Sequence, residues 1–160
     1  LLTGKKVVVL SSAKSFVNST ADGLIDENAP LSNNPRNSAE IHFLETAAIF
    51  HLGLIWGVGR EAPRWIAEGR IKNGRKLVNF IHVDDLARII CHALKIKIAV
   101  GRYLLSDGEK IRWRDLVAKG EQSLADYTVG VESRFFITDK IKKYLPIAFQ
   151  FTKLNSLIGD

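Results

Sequence analysis

The chain has 160 residues, 46% hydrophobic and 25% charged, a balance that suits one globular domain over residues 1–160 and excludes an intrinsically disordered chain. Its longest apolar run, residues 46–56 with His51 inside it, is shorter than the roughly 20 residues a bilayer-crossing helix needs, so the membrane is not an expected partner on that ground. A net charge of +6 and a pI near 9.6 admit anionic partners such as nucleotides, sugar nucleotides, nucleic acid or acidic lipid, and charge alone does not choose among them.

Residues 7–10 form a short, β-branched apolar run ending at Ser11 and Ser12, which predicts a strand buried on both faces of a parallel sheet. Residues 18–37 are rich in Asn, Ser, Asp, Gly and Pro and predict a loop. Ser38 is placed to cap a helix ending near Ala48, with Glu40 in its first turn. Residues 51–56 predict a second apolar strand, closed by a turn at Gly57 and Gly59. A short helix follows, with Pro63 in its first turn and Gly69 at its end. Residues 72–76 read as a turn and 77–81 as a strand. From Asp84, which is placed as a cap, Leu86, Ile89, Ile90, Ala93 and Leu94 recur at helical spacing and predict one amphipathic helix. Further on, residues 102–105 predict a strand, 106–108 a turn, 113–117 a helix, and 138–144 a last short helix capped by Thr138 and stopped by Pro146.

Several residue sets bear on chemistry. Gly57 and Gly59 lack the third glycine of a dinucleotide-binding turn and precede a Pro-started helix, so a structural turn is the favoured reading. His82 and the pair Asp84 and Asp85 fit a strand end and a helix N-terminus better than acid/base or metal chemistry. His42, His51 and His92 show no metal-ligand spacing, and no metal is expected. Arg70, Lys72, Arg75 and Lys76 form a basic cluster suited to phosphate or carboxylate, with a solvated turn as the plainer reading. Lys110, Arg112 and Arg114 around Trp113 imitate a nucleic-acid surface, although Trp113 fits an apolar helix face better. Cys91, the single cysteine, excludes an internal disulfide and suits the cytoplasm or another reducing compartment. A chain starting at Leu1 with no Met is expected to be a processed product or a fragment.

The stretch NFIHVDDLARII at 79–90, with LIWGVGR at 54–60 and GRYLLSDGEKIRWRDL at 101–116, resembles the C-terminal portion of extended or atypical short-chain dehydrogenase/reductase proteins, the NAD-dependent epimerase/dehydratase family. The resemblance implies an α/β fold, a partial Rossmann-like parallel sheet with a small substrate-binding subdomain. It also implies NAD or NADP as cofactor, and redox, epimerase or dehydratase chemistry on a sugar nucleotide or similar small carbonyl or alcohol. By the same resemblance Ser11 and Ser12 fall at the cofactor side, and Gly57, Arg60, Asn79 and His82 at the substrate side. Three departures stand out: Ala13 occupies the catalytic hydroxyl position, no Tyr is followed four residues later by Lys, and no glycine-rich cofactor loop is present. Counting back from Glu45 puts Asn37 and Ile41 where the Tyr and Lys belong, and only five residues separate Glu45 from His51. Little activity is therefore expected of this chain by itself, and no residue is assigned as catalytic. Two other readings stay open: a non-catalytic binding module of the same fold, and a small basic nucleic-acid-binding protein. A sheet lacking its first strands leaves an apolar edge, so a homo-oligomer or pairing with an N-terminal half is expected.

Overall fold

The computed structural model describes residues 7–17, 23–117, 134–145 and 149. In chain order its elements are β1 (Val8–Ser12), β2 (Leu24–Ile25), α1 (Pro35–Glu40), β3 (Ala48–Leu52), β4 (Leu54–Trp56) and α2 (Ala62–Ala67). They continue with β5 (Leu77–Val78), β6 (Phe80–His82), α3 (Val83–Ile96), β7 (Gly101–Leu105), β8 (Ile111–Arg112), β9 (Phe135–Phe136) and α4 (Asp139–Tyr144). The central sheet is parallel in the order β1-β3-β7, with Val8, Ala48 and Gly101 in one row and Ser12, Leu52 and Leu105 in another. Two further parallel pairs, β4 with β6 and β2 with β9, and one antiparallel pair, β5 with β8, complete the strands among the described residues.

Alternation along β3 sorts the core. Ala48, Phe50 and Leu52 face α3, whose Leu86, Ile89 and Ala93 complete one apolar cluster, each larger side chain contributing about 1.5–3 kcal/mol on burial. On the opposite face Leu104 joins Phe16, Ile25 and Phe136. A third cluster of Trp56, Ala62, Ile66, Val78, Phe80, Ile111, Trp113 and Leu116 makes a smaller lobe beyond the strand ends. The architecture is the expected α/β class with a partial Rossmann-like parallel sheet.

The structure corrects several local expectations. β1 is not buried on both faces: it pairs only with β3 among the described residues, and Leu10 is 50% exposed. The expected loop at 18–37 contains β2 and the start of α1, its residues 18–22 lying outside the described ones. Asn34, not Ser38, caps that helix. Its side-chain oxygen accepts from the Arg36 N–H at 2.9 Å, and Pro35 sets the first turn. The helix ends at Glu40 and tightens into a single 3-10 turn, because Ala48 is already in β3. The expected strand at 51–56 is two strands broken at Gly53, where the chain leaves β7 for Asn79. The Gly53 N–H donates to the Leu105 carbonyl at 2.8 Å, and the Leu54 N–H donates to that of Asn79 at 2.6 Å. The strand at 77–81 breaks at Asn79 likewise.

The cap of α3 is His82 rather than Asp84: Nδ1 of His82 accepts from the Asp84 N–H at 3.2 Å, leaving Asp84 and Asp85 in the first turn. Residues 113–116 form a 3-10 turn instead of a longer helix: Val117 is already extended, and the N–H groups of Trp113 and Arg114, which have no partner within the turn, donate to the carbonyls of Lys76 and Gly74. The last helix lies where expected, although the Thr138 side chain makes no cap bond; Pro146 lies outside the described residues.

At the end of β7 the Asp107 N–H donates to the Phe80 carbonyl at 2.7 Å. One carboxyl oxygen of Asp107 accepts from the Glu109 N–H, while Oδ2 is buried without a partner. Burial, with the charges of Glu109 and Asp85 adding to it, pushes the Asp107 carboxyl up to about 7. An unfolded chain releases this proton near 3.8, so the stabilising contribution is complete below that pH, declines as pH rises, and is gone above about 7. Asp107→Asn is expected to gain on the order of 2–4 kcal/mol over the wild type at pH 8, and to flatten the stability profile between about pH 4 and 8, measured by urea unfolding.

Candidate functional site

A cleft of about 530 Å³ opens at the carboxyl ends of β1 and β3, where open parallel α/β sheets bind ligands. Its floor comes from the strand ends at Ser12, Leu52 and Gly53. One wall is the 70–73 segment and another the 76–79 segment, with Trp113 behind. Lys14, Arg70, Lys72, Lys76 and Arg134 are in its lining, and among the described residues no Asp or Glu lines it. A neighbouring hollow of about 390 Å³ shares Leu54, Arg70, Ile71 and Trp113 and adds Gly59, Arg60 and Trp65, whose ring lies under the Arg60 guanidinium at 5.9 Å. Part of this charge is already balanced: Arg70 pairs with Glu68 at 2.8 Å, and Glu68 also pairs with Arg64.

The cleft owes its shape to Gly53. A Cβ there would lie 2.8 Å from the carbonyl carbon of Asn79, so only glycine lets β3 and β4 run against the 77–80 strand break. Asn79 lines the cleft with its amide committed elsewhere: Oδ1 accepts from the Phe136 N–H at 2.8 Å and Nδ2 donates to the Arg134 carbonyl. That bond brings Arg134 to the cleft from a segment distant in sequence.

The six residues singled out from sequence separate. Ser12 and Asn79 line the cleft, and Arg60 lines the adjoining hollow with its Nε donating to the Ile55 carbonyl at 3.1 Å. Ser11 turns away, its hydroxyl donating to the Glu40 carboxylate. His82 caps α3 and packs edge-on against Trp56, centroids 4.6 Å apart. Gly57 lies at φ +147°, and the space a side chain would need is taken by Val83 and His82. The turn it opens is no phosphate cradle: the Gly59 N–H donates to Glu61 at 2.7 Å and the Arg60 N–H to the Gly57 carbonyl at 2.8 Å. The amides of this turn are therefore not offered to the pyrophosphate of NAD or NADP.

Proton-transfer groups are equally scarce. The Tyr103 hydroxyl donates to the Ala99 carbonyl at 2.8 Å and is pushed by burial up to about 12. Tyr144 sits edge-on to Tyr103, and Tyr127 lies outside the described residues. Of the basic cluster seen in sequence, Arg70, Lys72 and Lys76 reach the cleft, and Arg75 is not in its lining. Sequence reasoning missed Lys14, Arg134 and Gly53. Lys14 carried a signal, standing just beyond the strand-end serines; Arg134 carried none.

No family model and no curated protein matches the chain. Solved structures do. A functionally unknown conserved protein from Silicibacter pomeroyi is 20% identical with TM-score 0.76, covering 95% of this chain and 64% of its own. A human epimerase family protein, solved with NADPH, is 15% identical with TM-score 0.69, over 96% and 64%. A UDP-N-acetylglucosamine 4-epimerase from Methanobrevibacter ruminantium, in complex with UDP-N-acetylmuramic acid, is 15% identical with TM-score 0.71, over 96% and 62%. The chain thus has the Rossmann-like α/β fold of epimerase-type proteins and spans less than two thirds of the length of these three.

Gly53→Ala is expected to cost about 2–3 kcal/mol, because β4 must move off Asn79 to admit the methyl group. Gly59→Ala, at φ +78° with nothing within 4 Å, is expected to cost only about 1 kcal/mol of backbone strain. Urea unfolding of both variants checks the order, and an equal cost would contradict the close approach at Gly53.

Proposed function

We propose that this chain is a divergent relative of the NAD-dependent epimerase/dehydratase family that carries the substrate side of its chemistry and, by itself, binds without turning over. The ligand class is a sugar nucleotide or similar phosphate-bearing carbonyl or alcohol compound. The observation that carries this reading is the lining of the strand-end cleft, which among the described residues holds Lys14, Arg70, Lys72, Lys76 and Arg134 and no acidic residue. Cationic side chains around a concave site attract a diphosphate and orient it. Support from outside the chain is the NADPH and the UDP-sugar found with proteins of the same fold.

NAD or NADP remains the cofactor of the reading, yet the amides of the Gly57 turn are committed and offer its pyrophosphate no grip. A nucleotide-gripping portion is accordingly a partner of the proposal, whether in a longer chain or a separate one. Within the site the chain's own residues bind, orient and exclude water; the described cleft lining has no group suited to move a proton near neutral pH. The non-catalytic module, which keeps the fold-forming positions after losing the cofactor and proton-transfer elements, shares this cleft and differs in giving no turnover with any cofactor. The nucleic-acid reading is not favoured, because Trp113 is 7% exposed and packs edge-on against Phe80 and Trp65, so its face is not offered to a base.

Titration with UDP-glucose is expected to change the fluorescence of Trp113 saturably, weakening steeply as salt is raised. Lys72→Glu and Lys76→Glu should each lower the affinity about tenfold or more while leaving the melting temperature within a few degrees. NAD and NADP alone are expected to bind no tighter than about millimolar. Tight dinucleotide binding by the chain alone, or UDP-glucose affinity indifferent to both substitutions, would overturn the reading.

A further inference from the structure

Behind the floor of the cleft lies a knot of buried polar side chains to which the proposed function gives no role. Glu40, at the end of α1 and 3% exposed, accepts at Oε1 from the Ser11 hydroxyl and from that of Ser15 at 3.0 Å. Its other oxygen faces His51 Nε2 at 3.5 Å and Arg102 Nε at 3.6 Å. His51, 0% exposed on β3, reaches with Nδ1 to the Ser12 carbonyl at 3.3 Å. Asn37, one turn earlier on α1, donates to the Ser15 carbonyl at 2.9 Å. The turn carrying Ser12, Ala13 and Lys14 is thus held from beneath by α1 and β3, and all three of its residues line the cleft.

We propose that Glu40 and His51 are positioning residues that hold the turn at residues 12–14 in its binding geometry, so that ligand affinity depends on two side chains the ligand does not touch. The inference rests on the cleft being the binding site. A carbonyl only accepts, so the bond to Ser12 requires a proton on Nδ1 of His51. A neutral ring bonded that way turns the lone pair of Nε2 toward the Glu40 carboxylate. The imidazolium satisfies both neighbours at once.

The ring faces Glu40 of α1, Arg102 of β7, the Ser12 carbonyl of β1 and the edge-on Phe16 ring at 4.7 Å, and the charge of the exposed Arg36 of α1 also acts on it. Burial lowers the proton affinity of His51 below that of a free imidazole, the Glu40 charge opposing it, so the doubly bonded state is completed only on acidification below 6.5. Positioning and simple charge give opposite signs at Glu40. Removing a negative charge from beside a cationic cleft tightens an anion through the field alone, whereas loosening the turn weakens it.

The test uses the full chain and UDP-glucose, whose diphosphate does not change charge between about pH 5 and 7.5. Glu40→Leu, which removes the acceptor of both serine hydroxyls, is expected to weaken binding by about threefold or more. His51→Asn places an amide N–H where Nδ1 stands and should retain most of the affinity; His51→Leu should lose it. Any rise of wild-type affinity on acidification should be absent in His51→Asn. Equal or tighter binding by Glu40→Leu, matching affinities of His51→Asn and His51→Leu, or a rise on acidification that persists in His51→Asn would each overturn the proposal. Circular dichroism identifies a variant that does not fold; should one of the two Leu variants be such, the other and His51→Asn decide. If the wild type does not bind UDP-glucose, the proposed ligand class is what fails. Amide exchange at Lys14 and Phe16 then judges the positioning role directly, faster exchange in Glu40→Leu supporting it and unchanged exchange refuting it.

Discussion

The close approach of Gly53 to Asn79 is the contact on which the rest of the structure turns. Two strands that read as continuous in sequence are both broken there, and the backbone of one is pressed onto the carbonyl of the other. On the sheet side of the break, β3 pairs with β1 and β7; beyond it, β4 pairs with β6 and leads into the smaller lobe. The same Asn79 spends its side-chain amide on the backbone of Arg134 and Phe136. One residue pair therefore joins the sheet, the lobe and a late segment of the chain, and the cleft is the space left where the three meet.

That geometry explains why basic residues remote in sequence share one cavity. Lys14 follows β1, Arg70 and Lys72 follow α2, Lys76 precedes β5, and Arg134 precedes β9. Gathering five cations raises their mutual repulsion, which water screens in the free chain and a phosphate-bearing ligand would relieve. A buried acid such as Glu40, placed beneath the floor beside Arg102, keeps its charge out of the cleft while its hydrogen bonds fix the turn above it.

Much of the fold was legible because its signals are local. The apolar stripe of α3, the short β-branched run of β1 and the short apolar run of β7 follow from side-chain patterning, which depends on neighbours a few residues away. What sequence misplaced depended on partners far along the chain. Asp84 looked like a cap because strand-end His82 was read only as an alternating strand residue, whereas its ring nitrogen takes the Asp84 N–H. The residues at 113–117 looked helical from their apolar spacing, yet Val117 turns extended and the first N–H groups of the turn bond to the carbonyls of Lys76 and Gly74. Of the residues placed by motif position, Ser12, Asn79, Arg70, Lys72 and Lys76 line the cleft and Arg60 lines the adjoining hollow. The inward turn of Ser11 was not legible in the sequence, since it answers to Glu40 across the sheet.

The central claim is that the strand-end cleft receives the phosphates of a small ligand. Amide and indole chemical-shift mapping of the isotopically labelled chain with UDP-glucose tests it most directly. The account predicts saturable shifts confined to Ser12, Lys14, Gly53, Lys72, Lys76, Asn79 and the Trp113 indole. Shifts scattered over the surface, or gathered on the far side of the sheet with these residues unmoved, would contradict it.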